Sequence, residues 1–249
     1  MFSIKEKFIY KISCLSNGLY IRYLKRKGLS IGKECIFRCP QTMRIDVSRP
    51  SLITIGDKVD MNMYFQILTH DWACSVFRNR YSDFVNSSGA VHIGNNIYFG
   101  TNVCVLKGVS IGDNCVIGAY SLVTHDIPSN SVAAGVPCKV ISSLDKYFEK
   151  RKSCALEEAV EYVNSIRERF GRDPSLSEMK EEFVYFVDAE NISAYSEIPI
   201  KYQLGSGFEG WLLNHHRMFD GFEEFLKYCS SCKLNKNGRS VNKHYNTYL

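Results

Sequence analysis

The stretch Val91-His-Ile-Gly-Asn-Asn-Ile-Tyr-Phe-Gly-Thr-Asn-Val-Cys-Val-Leu-Lys-Gly-Val-Ser-Ile-Gly-Asp-Asn-Cys-Val-Ile-Gly-Ala-Tyr-Ser-Leu-Val-Thr-His-Asp-Ile127 repeats every six residues. Apolar side chains stand at Ile93, Phe99, Val105, Ile111, Ile117 and Val123, and glycine follows four of them, as Gly94, Gly100, Gly112 and Gly118. Two positions ahead of each come Val91, Ile97, Val103, Val109, Cys115 and Ser121, mostly β-branched or small. Between repeats fall Asn96, Asn102, Gly108 and Asn114, residue types that tolerate left-handed backbone at a tight corner. A period of six is neither the 3.6 of an α-helix nor the 2 of an exposed strand. A short strand followed by a corner does satisfy it. Each repeat is then one flat side of a parallel β-helix, with the inward Ile and Val side chains stacked coil upon coil. Glycine beside them admits the close approach of the next coil's backbone.

Outward from this stretch the same spacing recurs at Ile31, Phe37 and Met43, and at Ile55, Met61 and Ile67, with Gly32 and Gly56 marking two of the repeats. Arg49 and Pro50 interrupt the series, so a distorted corner or small loop is expected there. The repeat vanishes between His70 and Val91. Residues 71–90, polar and aromatic with Arg78, Arg80 and Tyr81, read as a loop extruded from the coil, and long ordered loops of this kind are usually functional. The expected fold is mainly β. It comprises a short N-terminal helical lead-in over 1–29, a left-handed β-helix over 30–142 carrying the 71–90 loop, and a C-terminal α-helical extension over 143–249. In the extension, Leu144, Tyr147, Phe148, Leu156, Ala159, Val160 and Val163 carry a helical period to Phe170, and Gly171 stops it. Ser175 is suited to N-cap a second helix through Met179, Phe183 and Phe186. A third is expected over Gly221 to Tyr228, and the polar run from Lys233 onward reads as frayed.

With 249 residues, 45% hydrophobic and 23% charged, the chain has the composition of a soluble globular protein. A net charge of +5 is too small to argue for nucleic acid, and none is expected as a partner. No apolar run of about eighteen residues exists, so no integral membrane segment is expected. The opening residues up to Leu24 lack the apolar core and cleavage site of a signal peptide. Ten cysteines without an export signal read as reduced thiols, which points to the cytoplasm. Cys229 and Cys232 form a lone C-x-x-C with His215, His216 and His244 near in sequence. That is a weak zinc signal, and helix-packed thiols are the favoured alternative. No metal is expected. Lys150, Arg151 and Lys152 read as a solvated helix face, with contact to an anionic ligand as the alternative.

The segments His92-Ile-Gly-Asn-Asn-Ile-Tyr-Phe-Gly, Gly108-Val-Ser-Ile-Gly-Asp-Asn and Val116-Ile-Gly-Ala resemble the hexapeptide-repeat acetyltransferases. The closing run Val132-Ala-Ala-Gly-Val-Pro-Cys-Lys-Val-Ile141 is similar to the end of the coil in galactoside and polysaccharide O-acetyltransferases. The resemblance covers about residues 30 to 142. It implies a homotrimer with acetyl-CoA in the groove between adjacent β-helices. By position it implies that Tyr98, Thr101, Ala119, Thr124, His125 and Lys139 face the coenzyme, with Lys139 offering a point charge to a phosphate. Tyr98 stands where many relatives carry Trp, Tyr120 where they carry Gly, and His125 where they carry Lys.

The resemblance also implies that the histidine just before the loop is catalytic. Here that is His70 in Ile67-Leu-Thr-His-Asp-Trp72. The repeat agrees, because His70 comes three residues after an inward Ile and so stands at a corner, pointing out of the coil. A free imidazole titrates near about 6.5, which suits a general base at neutral pH. Such a base could take the proton of a sugar hydroxyl as it attacks a thioester. Trp72 could stack on a sugar face or plug the loop against the coil, and Asp71 is a candidate to contact the acceptor or orient the imidazole. The leading expectation is acetyl transfer from acetyl-CoA to a carbohydrate hydroxyl, of a surface polysaccharide or its precursor. An acetyltransferase for a small molecule such as an antibiotic or amino sugar remains an alternative. A zinc carbonic anhydrase would need a third histidine beside His70 and His92. A non-catalytic scaffold would need neither His70 nor the closing motif.

Overall fold

The structure, a computed structural model, describes residues 4–232 and divides the chain into two compact units, residues 1–149 and residues 150–247. The first unit opens with α1 (Ile4–Ser13) and α2 (Asn17–Lys27). Ser16 caps α2 by accepting from the Leu19 N–H, and Gly28 ends it at φ 114°. Coil one is β1 (Ser30–Ile31), β2 (Ile36–Phe37) and β3 (Arg44–Ile45); coil two is β4 (Ile53–Ile55), β5 (Val59–Met61) and β6 (Gln66–Ile67). After α3 (Cys74–Tyr81), coil three is β7 (Val91–Ile93), β8 (Ile97–Phe99) and β9 (Cys104–Val105), and coil four is β10 (Ser110–Ile111), β11 (Cys115–Ile117) and β12 (Leu122–Val123). Ile127 then bridges to Ile111, β13 (Ser131–Ala134) joins β11 in parallel, and β14 (Lys139–Ser143) turns back antiparallel on β13.

The strands stack into three parallel sheets: β1-β4-β7-β10, then β2-β5-β8-β11-β13, then β3-β6-β9-β12. The inward residues fall in register, as Ile55 on Ile93, Met61 on Phe99 and Ile67 on Val105, and all of them are buried. Both apolar positions of the six-residue repeat point into this one core. Asn96, Asn102, Gly108 and Asn114 all adopt positive φ, as the corners require. The asparagine amides also ladder between coils, Asn96 Nδ2 donating to Asn114 Oδ1 and Asn114 Nδ2 to Asn130 Oδ1. At Gly100 a Cβ would lie 2.5 Å from the Ala119 nitrogen, so any side chain there would push the coils apart. Phe99 is fully buried against Phe65, ring centroids 4.6 Å apart. Phe99→Ala is expected to cost about 3–5 kcal/mol, read as a lowered urea midpoint for the β-helix unit.

Several expectations need correcting. Helices hold more of the described residues than strands do, so the chain as a whole is not mainly β: coil strands are only two to five residues long and the corners between them are irregular. The lead-in is two helices, because Ser16 and Asn17 restart the chain; α2 buries Tyr20, Tyr23 and Leu24 in the coil's core. The 71–90 loop contains α3. In coil one it is Ile45, not Met43, that stacks on Ile67, because the 3-10 turn Pro40–Thr42 inserts two residues. A second such turn, Pro50–Leu52, forms the distorted corner expected at Arg49-Pro50.

The second unit has its own core. From Lys150 onward α4 (Leu144–Phe170) buries Ala159, Val160 and Val163 against Met179, Phe183, Phe186, Val187, Phe225 and Leu226. Gly171 follows at φ 65°. The helix expected from Ser175 does not form: Ser175 N and Oγ both donate to the Glu178 carboxylate, and the chain continues in turns and a 3-10 segment, Glu182–Tyr185. Further on come α5 (Ile200–Leu204), α6 (Phe208–Asn214) and α7 (Phe222–Ser231). Cys229 is buried in this core, which pushes its thiol up to about 12, and His215 Nε2 meets the Val184 carbonyl oxygen at 2.7 Å. These groups are committed to packing, and no cluster suited to a metal occurs among the described residues. His244 and the run from Lys233 lie outside the described residues.

Candidate active site

His70 follows β6 at the corner between the third and first sheets, and its side chain is 30% exposed. Its Nδ1 lies 2.7 Å from Oδ2 of Asp46, which follows β3 on the neighbouring coil. Asp46 is held from all sides. Oδ2 also accepts from Thr69 Oγ1 at 2.5 Å and from the Thr69 N–H at 3.3 Å, while Oδ1 accepts from the Ser48 N–H and hydroxyl. Burial works to raise this carboxyl, but hydrogen bonds from Ser48, Thr69 and His70 outweigh it and hold Asp46 far below the usual carboxylate range. An ionised carboxylate only accepts, so Nδ1 must carry the proton it shares with Asp46. The neutral ring then presents a lone pair at Nε2, the atom available to take a proton from a substrate.

A cleft of about 520 Å³ opens beside this pair, within the range of small-ligand sites. Tyr10 of α1 and Tyr23 of α2 line one side; Arg44, Asp46, Gln66 and His70 line the other. Burial, with Cys14 and Tyr23 close by, pushes Tyr10 up to about 12, so its hydroxyl stays a donor at neutral pH.

Asp71 does not orient the imidazole. Its side chain accepts from Lys107 Nζ and from the Ala73 N–H, and Lys107 also reaches Ser87 Oγ. Together with the bridge between His70 and Ser88, these contacts close the base of the loop. Trp72 is largely exposed and meets Phe84 edge-on, ring centroids 6.1 Å apart, so it packs within the loop. Lys107→Met is expected to make tryptic cleavage at Arg78 and Arg80 about tenfold faster, the effect of losing roughly 1.4 kcal/mol of partly exposed, charge-assisted hydrogen bonding.

The six residues suggested for coenzyme contact do not gather around His70 in one chain. Tyr98 stands outward on the second sheet, and Thr101 and Ala119 occupy the corner after it, where the Tyr120 N–H donates to the Thr101 carbonyl. Thr124 and His125 lie on the other corner of the third sheet, the one His70 occupies, and by register stand two coils from Leu68 and Thr69. Thr124 Oγ1 and His125 Nδ1 are 2.8 Å apart. Lys139 is exposed on β14, opposite Ala134. Asp46 and the tyrosines of the cleft escaped sequence reasoning. Asp46 directly follows Ile45, the coil-one partner of Ile67, so it lies in register with Leu68 beside the His70 corner, and no local period marks that pairing.

The profile of the bacterial transferase hexapeptide family (six repeats) matches residues 90–125. Protein CapG of Staphylococcus aureus is 35% identical over 127 residues, 51% of this chain and 73% of the relative. The galactoside O-acetyltransferase of Escherichia coli (strain K12) is 56% identical over 61 residues, 23% of this chain and 30% of that protein. Proteins of Staphylococcus aureus (strain COL) and related strains that carry acetyltransferase names are 51% identical over 69 residues, 28% of this chain. The chain spans about a third of the length of these last relatives, 34%. With stacked hexapeptide coils, a matching family profile and a relative aligned over most of its length, the chain belongs to the hexapeptide-repeat acetyltransferase family.

Proposed function

We infer that this protein transfers an acetyl group from acetyl-CoA to a hydroxyl of a carbohydrate, with His70 as general base. The observation that carries the reading is the Asp46–His70 pair at the mouth of a cleft with aromatic and polar walls. Tyrosine rings suit the apolar face of a sugar, and Arg44 and Gln66 suit its hydroxyls. The acceptor hydroxyl attacks the thioester carbonyl while Nε2 takes its proton. The tetrahedral intermediate collapses by breaking the carbon–sulfur bond, and the imidazolium returns the proton to the departing thiolate of CoA. No covalent acyl-enzyme is needed, and a backbone N–H at a coil corner is the candidate to hold the developing oxyanion. Asp71 and Trp72, at the loop's base, are proposed as the acceptor's second wall.

The donor is proposed to lie where two copies meet. Tyr98 on the second sheet with Thr101 and Ala119 at the corner after it, and Thr124, His125 and His70 on another corner, could face one acetyl-CoA if a second copy brings its own corner alongside. That arrangement supports a homotrimer built on the left-handed coil of residues 30–142, with Lys139 offering its charge to a CoA phosphate. Galactoside acceptance by one relative favours a sugar, and a cytoplasmic location would supply acetyl-CoA. The test is thiol release from acetyl-CoA against a panel of sugars and oligosaccharides. One acceptor driving release supports the reading. Release driven only by aminoglycosides or amino sugars moves it to a small-molecule transferase, and no release with bound acetyl-CoA absent points to a scaffold.

A further inference from the structure

We propose that α1 seats this protein on an anionic membrane surface. The helix is amphipathic in the outward sense. Glu6, Tyr10 and Ser13 make up its packed side, whereas Ile4, Phe8, Ile9 and Ile12 lie exposed, with Leu15 exposed in the turn beyond. Ile4, Phe8 and Ile12 follow one another at i, i+4 and i+8, so they form a single stripe. Ile4 is 89% and Phe8 64% exposed, and contiguous apolar surface of this kind marks an interaction site.

Charge identifies what the stripe meets. Residues 4–28 hold seven basic groups and one acidic, a net +6 against +5 for the whole chain, so the remainder is net −1. Lys5, Lys7 and Lys11 flank the stripe, and Arg22, Lys25 and Arg26 are exposed on α2. A groove of about 450 Å³ between the two helices has Ile9, Ile12 and Leu19 in its lining together with Arg22 and Arg26. That pairing fits an acyl chain beneath a lipid phosphate. A second copy docked face to face would set one +6 surface against another, and the oligomeric state of the Phe8→Glu variant separates bilayer docking from a three-fold contact that seats the stripe on a different face. An anionic bilayer supplies both the apolar phase and the opposite charge. No described helix is long and apolar enough to cross a membrane, and α1, ten residues or about 15 Å long, is dimensioned to lie on one.

The inner side of the same helix lines the His70 cleft through Tyr10. Docking therefore holds the cleft at the membrane, within reach of a saccharide carried on a lipid, a consequence that rests on the acetyl-transfer reading above. The binding itself does not, and its test needs no activity. The full chain is floated with vesicles of phosphatidylcholine alone or with about one-third phosphatidylglycerol, at low and high salt. The expected result is binding to the anionic vesicles only, weakened by salt. Lys5→Gln combined with Lys11→Gln should lower the partition coefficient roughly thirtyfold, and Phe8→Glu should abolish flotation. Circular dichroism of both variants must match wild type. Absence of wild-type flotation, equal binding to neutral vesicles, or a Phe8→Glu variant that changes oligomeric state while leaving flotation intact would each overturn the proposal.

Discussion

Replacing His70 by alanine is expected to lower kcat roughly a hundred- to ten-thousand-fold, with little change in the affinity for acetyl-CoA. The corner after β6 sets the ring outside the coil, and no inward packing depends on it, so the variant should fold and assemble as wild type does. What it loses is the lone pair at Nε2. A sugar hydroxyl is a poor nucleophile while it keeps its proton, and ionising it to the alkoxide beforehand is too unfavourable at neutral pH. The proton must therefore leave as the new bond forms, to a base already in hydrogen-bond reach. The measurement is thiol release under saturating donor, with acetyl-CoA binding followed separately by calorimetry. A variant that retains activity within about threefold would remove His70 from the chemistry, because general-base contributions are larger than that.

How far the sequence foretold this molecule depends on whether a residue's role is set by its own repeat or by a distant one. The inward positions from Ile93 to Val123 and the corners at Asn96, Asn102, Gly108 and Asn114 were legible, since each is fixed by the six-residue period and by the sterics of positive φ. The register of coil one was not, because a 3-10 turn at Pro40–Thr42 shifts the inward position from Met43 to Ile45 without leaving a break in the apolar pattern. Asp46 was hidden for a related reason. Its partner is 24 residues away, and only the pairing of Ile45 with Ile67 brings the two corners side by side. The cleft was beyond reach as well: Tyr10 and Tyr23 belong to helices whose contact with the coil no local period encodes. In the second unit, the Ser175 N–H and hydroxyl are both taken by the Glu178 carboxylate and the chain runs on in turns and a 3-10 segment, so short turns stand where a regular helix was expected.

Asp46→Asn should cost about as much as losing the imidazole, roughly a hundred- to ten-thousand-fold in kcat, although the substitution is isosteric and His70 stays in place. With a carboxylate at Oδ2, Nδ1 is obliged to be the donor and Nε2 is left as the acceptor. An amide can instead donate to Nδ1, which moves the ring proton to Nε2 and leaves a donor where a base is required. The amide also has no charge to stabilise the imidazolium that forms as the hydroxyl is deprotonated. KM for the donor should be unchanged, which separates this effect from general disruption. A second readout follows from linkage. The Asp46 carboxyl titrates far below its unfolded value, so the stability it contributes is complete above about pH 4 and fades as pH falls toward its own lowered value. Urea midpoints should therefore favour wild type over Asp46→Asn at pH 7 and converge as the solution is acidified. If kcat falls but the two proteins keep the same stability difference at every pH, Asp46 acts on His70 without the charge assigned to it here, and the dyad reduces to a hydrogen bond that merely aims the ring.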